Sequence, residues 1–205
     1  MRFYPHTAEI LLIGAMLWLL PVQSHAAPAV FRLHGEALQE RVDTLWRLAW
    51  HMPGITTGPL QAQERVLIFF DPNCPFCARL WRELRPWRYV VTVHWVPVAF
   101  IRPSSVGLAA AMLMAHDPAR ALAENENHYN FRSRTGGLLP VLTVPSRWVK
   151  VIGGNTNFWA RNFGITPTLL FLGRNKIHDV MALPNTSQLG RWLNQNAIGQ
   201  AIKGG

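Results

Sequence analysis

Hydrophobic positions along the chain change period several times, and each change marks an element. Val66–Phe70 is a short apolar run rich in β-favouring residues, which predicts a buried strand. Asp71, Pro72 and Asn73 end it with turn chemistry. From Cys74 onward Phe76, Leu80 and Leu84 recur at helical spacing, so a helix is expected to start at or beside Cys74 and to stop or kink at Pro86. Tyr89–Val98 is apolar almost throughout and predicts a second, central strand. Gly107–Met114 is Ala/Leu/Met-rich and helical, and Asp117-Pro118 reads as N-cap and first residue of the next helix. Gly136-Gly137 and Pro140 mark a loop, and Trp148–Phe163 reads as helical around a break at Gly153-Gly154. Leu169–Leu172 is a third strand, Gly173–Lys176 a turn, and Ile177–Ala182 a strand pairing back. Asn185 with Gln188 resembles a capping box opening a final helix to about Asn196.

Upstream, Leu38, Val42, Leu45 and Ala49 form one helical stripe, with Glu36, Glu40, Arg41 and Asp43 off it. A helix packed on the main domain is the favoured reading, ahead of a linker or partner-binding helix exposing Trp46 and Trp50. His51–Gly54 end this helix, and Gly58-Pro59 continue a loop into the strand. The order is therefore β-α-β, then a helical stretch, then β-β-α, an α/β fold with a mixed sheet and helices on both faces. Ile101–Phe163 far exceeds what a parallel crossover requires and reads as a helical insertion. Within these elements Met112, Met114 and Trp159 are read as packing and His94 as a satisfied core histidine.

The 205 residues and 49% hydrophobic content suit one domain with an appendage. Near the start, Ile10–Leu20 would span only about 16 Å as a helix, too short for a bilayer core. Ser24-His25-Ala26 resembles a small-X-small cleavage site, so residues 1–26 are expected to be a secretory signal peptide. Residues 27–60 then carry the amphipathic helix and linker, and 61–205 the main domain with its insertion at about 101–163. The net charge of +9 favours acidic surfaces or client segments, but the basic residues are scattered and do not form a nucleic-acid tail.

Chemistry concentrates at Cys74 and Cys77, the only two cysteines, separated by Pro75 and Phe76 at the strand–helix junction. Free N–H groups and the positive end of the helix dipole favour a thiolate there, making Cys74 the expected nucleophile. Cys77 is near enough to close a disulfide and release a mixed-disulfide partner. Zinc would need further ligands that no second cysteine pair or close histidine pair supplies. Haem attachment would need histidine where Ala78 stands. An inert bridge across so short a loop would constrain the unfolded chain little. Redox chemistry is the favoured reading, with the inert disulfide and a metal site left behind it. In an oxidising compartment, a protein with one close pair uses it as a reagent rather than a brace.

The strand–CPFC–helix unit, Thr166-Pro167 before a strand and the terminal ββα unit resemble a thioredoxin-fold protein. FFDPNCPFCARLW followed by RPW, with VPVAFIRPSSVGLAAAMLMAHDPA downstream, resembles the periplasmic DsbC/DsbG family, its DsbG branch most of all, over Arg65 to Trp192. The resemblance implies Cys74 as attacking thiol and Cys77 as resolving thiol. It implies Pro167 as a cis-proline facing the pair, against an ordinary trans edge proline, and Thr166 presenting backbone to an extended substrate. Phe76 is expected to be exposed and to touch clients. The implied activity is periplasmic disulfide reduction or isomerisation, or sulfenic-acid reduction, on exported protein clients. No cofactor is expected beyond the Cys74–Cys77 pair, and a membrane thiol reductant would supply electrons. A disulfide donor of the DsbA kind is the alternative, and a non-catalytic binding module or chaperone a second. Ala27–Leu60 looks too short for the family's dimerisation domain, which leaves room for a specific partner such as a secretion or conjugation apparatus.

Overall fold

The computed structural model of the chain describes residues 36–172 and 177–182, with residues 36–39 and 177–182 described by their backbone alone. The expected signal segment, the turn at 173–176 and the helix after Asn185 lie outside the described residues. In chain order the elements are α1 (Glu36–Trp50), β1 (Ile55–Thr57), β2 (Glu64–Phe70), α2 (Pro75–Glu83), β3 (Val91–Pro97), α3 (Ser104–Met114), α4 (Pro118–Asn127), α5 (Ser146–Asn162), β4 (Thr168–Leu172) and β5 (Ile177–Ala182). A short 3-10 turn over Arg85–Trp87 takes up Pro86 after α2.

The strands form one sheet in the order β1-β3-β2-β4-β5. β2 and β3 run parallel, while β1 pairs antiparallel with β3, and β4 antiparallel with both β2 and β5. β2 is central, and its side chains divide between the two faces with the strand period of two. Val66, Ile68 and Phe70 meet Cys77, Leu80, Met112 and Leu122 beneath α2, α3 and α4. Leu67 and Phe69 meet Val42, Trp46 and Ala49 of α1 and Trp159 of α5. Fully burying each large apolar side chain contributes on the order of 1.5–3 kcal/mol, which is why a run apolar on both faces becomes the middle strand.

Two elements differ from the sequence reading. Ile55–Thr57 is a strand rather than loop: Ile55 is buried, and Thr57 accepts a hydrogen bond from Trp95 Nε1 at 3.0 Å. Gly58 follows at φ +83°, where a Cβ would run into the Val91 carbonyl. α5 runs unbroken through Gly153-Gly154, because Asn155 anchors this turn inward, its Nδ2 donating to Pro53 O at 2.9 Å and Pro97 O at 3.1 Å. Gly164, at φ +77°, ends the helix instead.

His94 is the satisfied core residue expected. Its Nε2 donates to Met52 O at 3.0 Å and its Nδ1 accepts from Thr56 Oγ1 at 3.0 Å. Burial holds its pKa below the usual histidine value, which keeps the ring neutral at neutral pH. Trp46 is buried and stacks on Trp50 at 4.9 Å, so the aromatic end of α1 faces the sheet.

Candidate active site

β2 delivers the chain to the sheet's end, and a four-residue turn turns it into α2. Cys74 is the N-cap of that helix and Pro75 stands in its first turn, where a missing N–H costs nothing. The Cys74 N–H donates to Asp71 O at 2.9 Å, and the Cys74 carbonyl accepts from the N–H groups of Cys77 (3.1 Å) and Ala78 (3.2 Å). Both cysteines carry free thiols. Cys74 retains 2% of its surface and Cys77 none, so only Cys74 borders solvent. Phe76, between them, is 51% exposed, and Arg79 lies 5.6 Å from its ring centroid.

Across from the pair, the Thr166-Pro167 peptide bond is cis. Cys74 Sγ donates to the Thr166 carbonyl at 3.6 Å, and Thr166 and Pro167 are both buried. The preceding Ile165 is held through its carbonyl, which accepts from Trp159 Nε1 at 2.9 Å and from the Thr168 hydroxyl. Folding therefore brings Cys74, Cys77, Phe76, Thr166 and Pro167 into one locus at the ends of β2 and β4.

The two sulfurs are electrostatically unlike. A hydrogen bond from Cys77, joined by others from Thr166 and the backbone N–H groups of Cys77 and Phe76, outweighs burial and lowers Cys74 to about 7. Burial, and then the neighbouring Cys74, push Cys77 well above its ordinary value. At neutral pH one sulfur is substantially thiolate and the other a thiol.

Sequence reasoning missed what holds this turn. Asp71, read only as a turn former, is fully buried and accepts from Asn73 N (2.8 Å), Phe100 N (2.8 Å), Ile101 N (3.0 Å) and Ser105 Oγ (2.8 Å). Asn73 donates to Ser104 Oγ and Ser105 Oγ, accepts from Gly136 N, and its carbonyl takes the Tyr129 hydroxyl at 2.8 Å. Asn125 Nδ2 donates to Pro72 O at 3.1 Å and to Glu126 Oε1 at 2.9 Å. The insertion thus holds the cysteine turn at Asp71, Pro72 and Asn73. Glu126 is itself fully buried, and burial raises its pKa to about 8. Among the described residues no three His, Cys, Asp or Glu side chains gather as metal ligands would.

No family model matches the chain. A DsbG thiol:disulfide interchange protein of Pseudomonas aeruginosa is 27% identical over 203 residues, covering 92% of this chain and 78% of its own. Its namesake from Escherichia coli strain K12 is 25% identical over 195 residues, covering 86% and 76%. A crystal structure of a periplasmic thioredoxin-like protein from Salmonella enterica serovar Typhimurium matches at a TM-score of 0.57 and 22% identity, over 75% of this chain and 95% of its own. The fold is thioredoxin-like, and the sequence is DsbG-like along most of its length.

Proposed function

We propose that this DsbG-like chain is a periplasmic thiol–disulfide oxidoreductase that reduces or isomerises disulfides, or reduces sulfenic acids, in exported protein clients. The observation that carries the reading is the divided sulfur pair facing the cis Thr166-Pro167 bond: an edge-of-surface Cys74 lowered to about 7 and a sealed Cys77 held protonated. The Cys74 thiolate attacks a client sulfur, forming the Cys74–client disulfide as the client's own S–S bond breaks and its electron pair leaves on the other client sulfur. Cys77 then attacks Cys74, its proton departing, and the client leaves as a thiolate while the Cys74–Cys77 disulfide forms. No cofactor enters; the pair itself carries the electrons, and a membrane thiol reductant restores it.

Thr166 supports substrate placement. Its carbonyl is occupied by the Cys74 thiol at 3.6 Å and is released once Cys74 ionises or bonds to a client, freeing backbone for an extended segment. Exposed Phe76, Phe100, Ile101 and Ile165 supply an apolar rim. The periplasmic setting of the Salmonella protein is consistent with the leader-like residues 1–26. A value of about 7 for Cys74 also favours reductase or isomerase over donor, because strongly oxidising pairs hold their thiolate near about 3.5.

The test is substitution of each cysteine. Cys74→Ser should abolish exchange, and Cys77→Ser should accumulate client mixed disulfides visible on non-reducing gels. Exchange surviving without Cys74 would refute the assignment. Acid quenching and thiol alkylation in the cell should find the pair mostly reduced; a mostly oxidised pair would turn the reading to the donor role.

A further inference from the structure

Resolution of the mixed disulfide requires Cys77 to lose a proton, and nothing at its own helix turn takes one. Its surroundings are sealed from solvent and its thiol is held protonated. The insertion places one acid against this region. Asn127 accepts from Trp81 Nε1 at 2.9 Å, and Trp81 lies one turn beyond Cys77 on α2. Asn125 holds Pro72 O just before Cys74. Glu126, between these two anchors on α4 and joined through Asn125 Nδ2 to the Pro72 carbonyl, stands beside the Cys74–Cys77 turn; Cys77 feels its charge, and it feels that of Cys74. Its Oε1 accepts from Asn125, whereas its buried Oε2 has no hydrogen-bond partner among the described residues. An orphaned, fully buried carboxyl oxygen is costly unless it has a use.

We infer that Glu126 is the proton acceptor for Cys77: as Cys77 Sγ bonds to Cys74 Sγ, the Cys77 proton passes to Glu126 Oε2. The Cys74–client S–S bond breaks in the same step, and its electron pair leaves on the client sulfur. This rests on the exchange reading above and gives it a proton path. The charged and titratable neighbours set the timing. In the dithiol form burial first, and then the Cys74 thiolate and Asp71, hold the proton on Glu126, while the Asn125 hydrogen bond and Arg82 of α2 oppose them; Tyr129 also feels the carboxyl. Once Cys74 is bonded to a client its charge is gone, and Glu126 ionises more readily, as a base must before it can accept.

The experiment mixes the full dithiol chain with an aromatic disulfide such as dithionitrobenzoate in a stopped-flow instrument. Cys74 attack releases the first thionitrobenzoate and Cys77 resolution the second. With Glu126→Gln, the second release should slow about tenfold or more near pH 6–7 and steepen with pH, while the first stays within about threefold; Glu126→Asp should recover part of the loss. A second release within about threefold of wild type at every pH overturns the inference alone. Absence of the first release in wild type overturns the exchange reading with it. If Glu126→Gln does not fold, the infrared stretch of a protonated carboxyl decides: in Cys77→Ser at neutral pH it should weaken when Cys74 is capped as a mixed disulfide, and an unchanged band overturns the inference.

Discussion

Cys74 and Glu126 titrate in opposite senses, and stability should record both. Cys74 is lowered from 9.0 to about 7, so the folded dithiol chain releases that proton before the unfolded chain does. Rising pH therefore favours folding between about 7 and 9; the contribution is complete above 9 and is lost as pH falls through about 7. Glu126 is raised from 4.5 to about 8, so the unfolded chain sheds this proton first. Its contribution is complete below 4.5 and is lost as pH rises through about 8. Urea unfolding of the reduced protein should thus show Glu126→Gln gaining on wild type between pH 5 and 8, and Cys74→Ser losing ground between pH 7 and 9. At this scale the sequence was readable where chemistry is local. CPFC at a strand–helix junction and Thr166-Pro167 before a strand are contiguous signals. Asp71 and Glu126 were not readable, because their meaning comes from partners such as Phe100, Ile101 and Ser105, which lie 29, 30 and 34 residues from Asp71.

Helices and strands divide by the same criterion. Strands β2 and β3 and helices α2 to α4 follow from periodicity, turn residues and the Asp117 cap, whose Oδ1 accepts from Arg120 N at 3.0 Å. β1 escaped because three residues beside Gly58-Pro59 have no period to detect; their pairing with Val93, His94 and Trp95 defines them. The Gly153-Gly154 signal misled because glycine weakens a helix without ending it where the next residue is anchored. A Cβ at Gly154 would meet nothing within 4 Å, so Gly154→Ala should stabilise by about 1 kcal/mol and raise Tm by about 2–4 °C. Gly107→Ala should do the reverse, since its Cβ would lie 2.6 Å from the Val141 carbonyl and 2.9 Å from Pro140 Cβ. Calorimetry on the pair separates a helix-propensity effect from a packing one.

For the whole molecule, the sheet's second face depends on α1. Val42, Trp46 and Ala49 close over Leu67, Phe69 and Leu170, so α1 is built into the core that positions β2. Trp46→Ala should cost about 3–5 kcal/mol, measured by denaturant unfolding; a loss below about 1 kcal/mol would mean the sheet folds without that cover. The unbroken apolar run of β2 foretold a buried strand, but which helix covers which face is a property of topology, not of any one segment. β1 then has a consequence for the proposed work on exported clients. It spans three residues, and beyond it the β3 edge is masked, with the Thr92 hydroxyl donating to the Pro59 carbonyl and Gly58 set against Val91. Scrambled clients present many segments ready to add themselves as strands and seed aggregates. On this flank the protein offers such segments almost no template, which, under the proposed function, leaves the backbone beside Cys74 as the place for an extended client.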